Sequence, residues 1–323
     1  MNKILLVCDK RNWAYDSIAR GLLKHNGAGD ITLAISYMKE DWRSFEKISK
    51  EHDILFFMGW QLIFEEKNPF LKKGPVYKKR FGFLEDERIL TGIHSHHAWD
   101  KRRTTPEEDI APPVGLLDSL GRCRGVNAVS RRLYSVFKKA GLAITYTPNG
   151  VDTEIFKPLN TPGSGDTVRV GYSGSLKHDW RKGIMEFIEP ACKEAGVELK
   201  KAMPAEDHYV PLEGMPEFYN DIDVYLCASS SEGFSLSVLE ASACGRPVVT
   251  TRVGGCEDLI LDRENGFFVR RNREAIAEKL KVLKENHGLI TQMGRRNREI
   301  VEKEWSWAVR TADWMGFIKR CLI

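Results

Sequence analysis

Between Ser229 and Gly266 the chain reads SSSEGFSLSVLEASACGRPVVTTRVGGCEDLILDRENG, and here residue type and spacing come nearest to chemistry. Glu232 and Glu240 stand on either side of the start of a helical pattern that begins at about Leu236. Eight residues along one helix would separate them by roughly 12 Å, enough to reach from a sugar to a ribose across a diphosphate. Each carboxylate can accept hydrogen bonds from vicinal hydroxyls. The amides of Gly233, Phe234, Ser235 and Leu236 are the free donors of a helix start and would hold a phosphate. A plainer use fits the same letters, because Ser229-x-x-Glu232 and Ser237-x-x-Glu240 both match a capping box. A basic stretch, Lys177 to Gly183, follows the strand-like Val168 to Tyr172. Cations fixed there would stabilise the charge that a departing diphosphate gathers; the alternative is a solvated helix start.

Other groups compete for attention. In Ile93-His94-Ser95-His96-His97 a continuing strand would put His94 and His96 on one face. No third ligand stands at a recognisable spacing, so a hydrogen-bonded loop histidine is the better reading than zinc. Asp221-Ile222-Asp223 has the DxD form of some metal sites but precedes a strand, as a turn does. After the first strand the chain runs Asp9-Lys10-Arg11-Asn12-Trp13 without a glycine, and no GxxxxGK[ST] occurs, so a dinucleotide fingerprint and a P-loop are both excluded. Phe64 to Phe83 (FEEKNPFLKKGPVYKKRFGF) interleaves Lys72, Lys73, Lys78, Lys79 and Arg80 with aromatic rings. That mixture suits nucleic acid, an anionic membrane surface, or a solvated loop with a few rings anchored in a core.

These groups need a scaffold, and the apolar pattern supplies one. Strand-like runs recur at Lys3–Cys8, Ile31–Ile35, Ile54–Phe57, Arg88–Ile93 and Gly125–Val129, with helical patterns between several of them. A proline- and glycine-rich linker spans 148–166, after which the alternation restarts at Val168–Tyr172, Val197–Leu199, Val224–Leu226, Pro247–Val249 and Gly266–Val269. Helices are expected from about Lys182, from Leu236, and from Glu302 to Arg320 with a tryptophan stripe. The pattern predicts an α/β protein of two Rossmann-like parallel-sheet domains. The expected division is 1–150 and 151–305, with a helix over 306–323 crossing back to the first domain. In such sheets ligands sit beyond the carboxyl ends of the strands. The 323 residues carry a net charge of +4, which suits a phosphorylated ligand without demanding nucleic acid. Seven cysteines, with no CxxC pair, and no apolar run of spanning length lead us to expect reduced thiols and a cytoplasmic protein, with peripheral contact at the inner face of a membrane left open.

Taken together, four motifs resemble a family. Glu232-Gly233-Phe234 through Glu240, then Ala241 to Val249 and Val253-Gly254-Gly255, is similar to the E-x7-E donor region of family 4 of the retaining glycosyltransferases. Asn149-Gly150-Val151-Asp152 with Phe156 and Pro158 resembles its interdomain segment. Gly171 to Gly183 resembles the first strand-loop-helix of its second domain, and Asn265 to Val269 its closing strand. The resemblance covers about 148–270. It implies a GT-B fold, two Rossmann-like domains facing across a cleft, and transfer of a sugar from a nucleotide-diphosphate donor with retention of configuration. It implies that Glu232 contacts the donor sugar, Glu240 the ribose and Lys182 the diphosphate. Lys177 or Arg181 would be the second cation, in a loop turning at Gly174, and His94 would face the cleft. Asp9, Trp13, His96 and Lys78 would lie on the acceptor side. No cofactor and no metal are implied, the nucleotide sugar being a substrate. The implied acceptor is a saccharide or lipid-linked saccharide. A nucleic-acid base as acceptor, or a silent sugar-nucleotide- or glycan-binding protein, is the alternative. Ser175, Ser235 and the glycine-free loop after the first strand depart from the family pattern.

Overall fold

The computed structural model describes residues 1–67, 76–95, 106, 108–203 and 208–323. The chain divides into two compact units: Met1–Asp100, Asp109–Gly150 and Trp307–Ile323 in the first, Lys101–Glu108 and Val151–Ser306 in the second. The chain passes between them at Gly150–Val151 and again at Ser306–Trp307.

In the first unit the apolar run at the amino terminus becomes β1 (Asn2–Cys8), in which Ile4 to Cys8 are at most 1% exposed. Burial on both faces is what a central parallel strand requires. β1 pairs in parallel with β2 (Ile31–Tyr37) on one side and β3 (Ile54–Phe57) on the other. The hairpin β4 (Phe64–Lys67) and β5 (Val76–Lys79) is antiparallel and separate from this sheet. β6 (Ile89–Ile93), β7 (Gly125–Ala128) and β8 (Thr145–Tyr146) complete the order β2-β1-β3-β6-β7-β8, all parallel. The stretch 64–83 is therefore a hairpin in its described part. Phe64 and Tyr77 are buried, and Phe81 packs on Phe45 with ring centres 5.3 Å apart. Phe64 and Tyr77 serve the core, whereas Phe83 on the same stretch is exposed.

The second unit holds β9 (Arg169–Ser173), β10 (Glu198–Ala202), β11 (Val224–Cys227), β12 (Val248–Thr250) and β13 (Gly266–Phe268), in the parallel order β10-β9-β11-β12-β13. The chain turns to one side of β9 to make β10 and to the other to make β11. That reversal is the topological switch point where α/β sheets open a crevice for ligands. Val170, Leu226 and Val249 on the strands and Val168 just before β9, with Ile276, Leu280 and Ile290 on helices Arg273–Glu285 and His287–Ile300, form the core behind it.

Two expected helices differ. The one expected from Lys182 is a four-residue helix, Asp179–Lys182, a left-handed Gly183 (φ 70°), a wider π turn Ile184–Ile188, and then helix Glu189–Ala195. Glycine takes this φ without the steric cost other residues meet. The expected Glu302–Arg320 helix is broken. A π turn Val301–Trp305 ends at the extended Ser306 (ψ 152°), and a new helix runs Trp307–Leu322. The tryptophan stripe is thereby divided. Trp305 packs on Phe234 in the second unit, at 5.4 Å between ring centres. Trp314 belongs to the first unit, where it packs 5.8 Å from Phe56 and donates from its indole nitrogen to Pro148 O. Among the described residues no helix is long and apolar enough to cross a membrane.

Candidate functional site

The carboxyl ends of β9 and β11, the two strands at the switch point, lead into the two segments with the most chemistry. β11 ends at Cys227 and the chain continues through Ser229, Ser230 and Ser231 to Glu232, which is only 8% exposed. β9 ends at Ser173 and leads through Gly174, whose amide is tied to Ala202 O on β10, to the helix bearing Arg181 and Lys182. The two segments meet at one oxygen. Glu232 Oε1 accepts from Lys182 Nζ at 2.5 Å and from Ser229 Oγ at 2.7 Å, and lies 3.2 Å from Arg181 Nη1. Arg181 Nη1 also donates to Ser231 O at 2.7 Å, and Ser230 N donates to Arg181 O at 2.8 Å. Among the described residues, no donor reaches Glu232 Oε2.

Burial would push the Glu232 carboxyl up; the charges of Lys182 and Arg181 and the Ser229 hydroxyl overcome it and hold the pKa at about 2. The side chain is ionised at any physiological pH. Glu240 follows the opposite course. It sits half-buried inside helix Leu236–Ala243, and its Oε2 accepts from the Tyr219 hydroxyl at 2.8 Å. Burial raises its pKa to about 7 although Tyr219 pulls the other way. Glu232 lies in the loop before this helix, so the two glutamates are not eight residues apart on one helix. Neither makes a capping box: Ser229 donates to Glu232 itself, and Ser237 and Glu240 are both inside the helix.

Gly233 and Phe234 are fixed from behind. Gly255 N donates to Gly233 O at 3.0 Å, and Phe234 lies between Gly255 and Trp305. Ser235, the residue before the helix, shares its hydroxyl with Ser237 at 3.1 Å. Within the described residues the amides of Gly233, Phe234, Ser235 and Leu236 find no protein acceptor, as an anion site at a helix start requires. Lys177 does not join the cluster. It lies exposed in the turn Leu176–His178, with its amide on Ser175 Oγ.

The first unit's sequence-predicted residues lie at the carboxyl end of its own sheet. His94 follows β6, its ring edge-on to Tyr15 (5.0 Å between ring centres) and 6.3 Å from Trp314. Burial lowers its pKa to about 3, and among the described residues its buried Nε2 has no partner. The imidazole is neutral and can exchange hydrogen bonds, but it is no acid at neutral pH. Asp9, directly after β1, likewise has a buried Oδ1 without a partner among the described residues. Trp13 is 52% exposed, with the Lys10 ammonium 3.3 Å from a ring centre. Lys78 is exposed on the hairpin, opposite Glu65, and does not join these residues. His96 falls outside the described residues. The DxD-like pair is spent on structure: Asp223 accepts from the amides of Gly163 and Arg169, and Asp221 pairs with Arg169 and Lys200.

Two contributors escaped the sequence reading. Ser229 was visible only as half of a capping box. Asp179, whose Oδ1 accepts from the amides of Ile184 and Met185 at 2.7 and 3.0 Å, ties the short helix to the π turn after it. Nothing in the spacing of Lys177 to Gly183 announces that break.

Comparison with known proteins follows the same lines. Residues 207–300, which include Glu232 and Glu240, match the family described as glycosyl transferases group 1. The chain is 37% identical over 182 residues to the capsular polysaccharide biosynthesis glycosyltransferase CapM of Staphylococcus aureus, covering 49% of this chain and 46% of that one. The chain spans less than half the length of the curated relatives it matches. Sucrose-phosphate synthase from Thermosynechococcus elongatus superimposes over 100% of this chain and 99% of its own, with a TM-score of 0.69 at 15% identity. Anabaena HepE in complex with UDP does so over 99% and 100%, with a TM-score of 0.66 at 13% identity. At such identities the shared property is the fold. Residues 207–300 thus match the glycosyl transferases group 1, within a chain that has the GT-B fold.

Proposed function

We propose that this protein is a retaining glycosyltransferase of family 4 type, which moves a sugar from a nucleoside-diphosphate donor to a hydroxyl of a saccharide or lipid-linked saccharide. The observation that carries the reading is the convergence of Lys182, Arg181 and Ser229 on one oxygen of a buried, ionised Glu232 whose second oxygen has no donor among the described residues. In this reading Oε2 accepts hydrogen bonds from the donor sugar. Lys182 and Arg181 hold the diphosphate and stabilise the negative charge it gains as the glycosidic bond breaks, so that side-chain cations serve where other transferases use a metal. The amides from Gly233 to Leu236, unpaired among the described residues, supply further donors. Glu240 holds the ribose. No enzyme nucleophile is invoked: the acceptor hydroxyl attacks on the face the diphosphate leaves and passes its proton to that leaving group, which asks of the protein positioning and charge stabilisation.

The relatives support the donor and acceptor classes by what their names say. CapM is a capsular polysaccharide biosynthesis enzyme, and HepE was solved with UDP. We assign the acceptor to the carboxyl end of the first unit's sheet, where Asp9 Oδ1 and His94 Nε2 are buried polar atoms without partners among the described residues. We place the protein in the cytoplasm, where nucleotide sugars are available to it.

Glu232→Ala and Lys182→Ala test the assignment. Removing one preorganised electrostatic group costs about a hundred- to a thousandfold in kcat, so both variants should lose transfer, and nucleotide-sugar hydrolysis with it, while keeping their circular dichroism. Turnover at the wild-type rate in either variant would refute it. The anomeric configuration of the product, read by NMR, decides retention.

A further inference from the structure

The helix that presents Arg181 and Lys182 is a single turn, Asp179–Lys182. One turn of helix is not self-supporting in water. What steadies it comes from elsewhere in the second unit. Arg271, three residues beyond β13, donates from Nε to Ala228 O at 2.9 Å and from Nη2 to Trp180 O and Arg181 O, both at 3.2 Å. Its guanidinium carbon lies 4.5 Å from the centre of the Phe187 ring, on the π turn after the short helix. One planar cation thus joins the loop leaving β11, four residues before Glu232, to the helix whose side chains bind Glu232. Charged donors on carbonyls are among the stronger hydrogen bonds.

We propose that Arg271 is a positioning residue for sugar transfer: by bridging Ala228 to Trp180 and Arg181, it sets the short helix in the register that brings Arg181 and Lys182 onto Glu232. This rests on the reading of Glu232 and Lys182 given above. The carbonyls come from two segments, and only a rigid fork of donors meets both at once; lysine offers the charge and the stem but a single point of contact. Arg271 therefore acts through Arg181 and Lys182, keeping the two cations in place before a diphosphate arrives.

The experiment uses the full-length chain with Arg271→Lys, Arg271→Ala and Lys182→Ala. Binding of UDP, GDP and ADP is titrated calorimetrically, nucleotide-sugar turnover is measured with the tightest-binding base, and melting is followed in parallel. Arg271→Lys should keep a cooperative melt, bind the diphosphate about tenfold more weakly, and lose about a hundredfold in kcat, the scale of a misplaced catalytic group. Guanidinium ion at tens of millimolar, below denaturing levels, should restore part of the rate to Arg271→Ala and none to Lys182→Ala. Wild-type affinity and rate in Arg271→Lys overturns the proposal. So does an Arg271→Lys chain without a cooperative melt, which would make the residue purely structural, and so does a failure of guanidinium to restore any rate. If the wild-type chain binds none of the three diphosphates and Lys182→Ala matches it, the underlying reading of the site fails instead.

Discussion

At the residue scale, two carboxylates eight positions apart in sequence are driven in opposite directions. Glu232 is held ionised by two cations; Glu240, with only a hydroxyl beside it, is raised to about 7. The unfolded chain releases the Glu240 proton near the ordinary 4.5, whereas the native chain keeps it until about 7. Between those values the native state binds more protons, so the Glu240 contribution to stability falls as pH rises through this window. A carboxylate accepts from two ribose hydroxyls better than a carboxylic acid does, so if Glu240 holds the ribose as proposed, UDP affinity should rise between pH 6 and 8 in the wild-type chain. Glu240→Gln should remove that component and melt at a temperature less sensitive to pH above 5. Calorimetric titration of both chains at each pH checks it, since protonation of the nucleotide itself is common to both. An identical pH dependence in the two proteins would remove Glu240 from the ribose. Both glutamates could be read from the sequence as hydroxyl acceptors, but their opposite charge states could not. That of Glu232 depends on Lys182 and Arg181 turning inward from the short helix, and that of Glu240 on its burial beside Tyr219.

At the scale of elements, the apolar runs were legible because burial on both faces leaves a strand no polar positions. β1, β3, β6, β11 and β13 fall within a residue or so of the apolar runs that announce them. The hairpin β4–β5 was not legible, because Phe64-Glu65-Glu66-Lys67 and Val76-Tyr77-Lys78-Lys79 bury few side chains and resemble charged loop. The π turns were hidden for another reason: a wider turn keeps the apolar spacing of a helix and changes only its phase. The loop that holds Glu232 depends on a close approach equally invisible in composition. Gly254 has φ 44°, and a Cβ there would lie 2.3 Å from both Glu232 O and Gly233 O. Those are backbone atoms, so the loop itself would have to move. Gly254→Ala should cost about 2 kcal/mol or more from the left-handed backbone and the clash together. That corresponds to a fall of roughly 4–8 °C in the melting temperature of a unit this size. Turnover should fall further than stability explains, because Glu232 shifts with the loop. A Gly254→Ala chain with a lowered melting temperature but wild-type kcat would show that the loop tolerates the shift.

At the scale of the whole molecule, the chain builds the same doubly wound plan twice, each sheet with its switch point beside its first strand, and the family match covers only part of the second. The first unit is completed by the carboxyl terminus, and this makes a division of labour testable. Trp307, Trp314, Met315, Phe317 and Ile318 are all buried there, with Phe317 5.7 Å from Phe56 between ring centres. Deleting one buried Phe or Trp side chain costs about 3–5 kcal/mol. Removing three such aromatics and two aliphatics together meets or exceeds the total stability of a typical domain, about 5–15 kcal/mol. A chain ending at Ser306 should therefore lose the cooperative melting of the first unit. The second unit keeps its own core, from Val168 to Met293, together with Glu232, Lys182, Arg181 and Arg271. Its melting transition and its affinity for a nucleoside diphosphate should survive, while transfer to an acceptor disappears. Differential scanning calorimetry, limited proteolysis and UDP titration on the shortened chain measure each part. Retained transfer would mean that the acceptor does not need the first unit. Loss of both transitions would mean that the second sheet, for all its separate core, does not fold without the first.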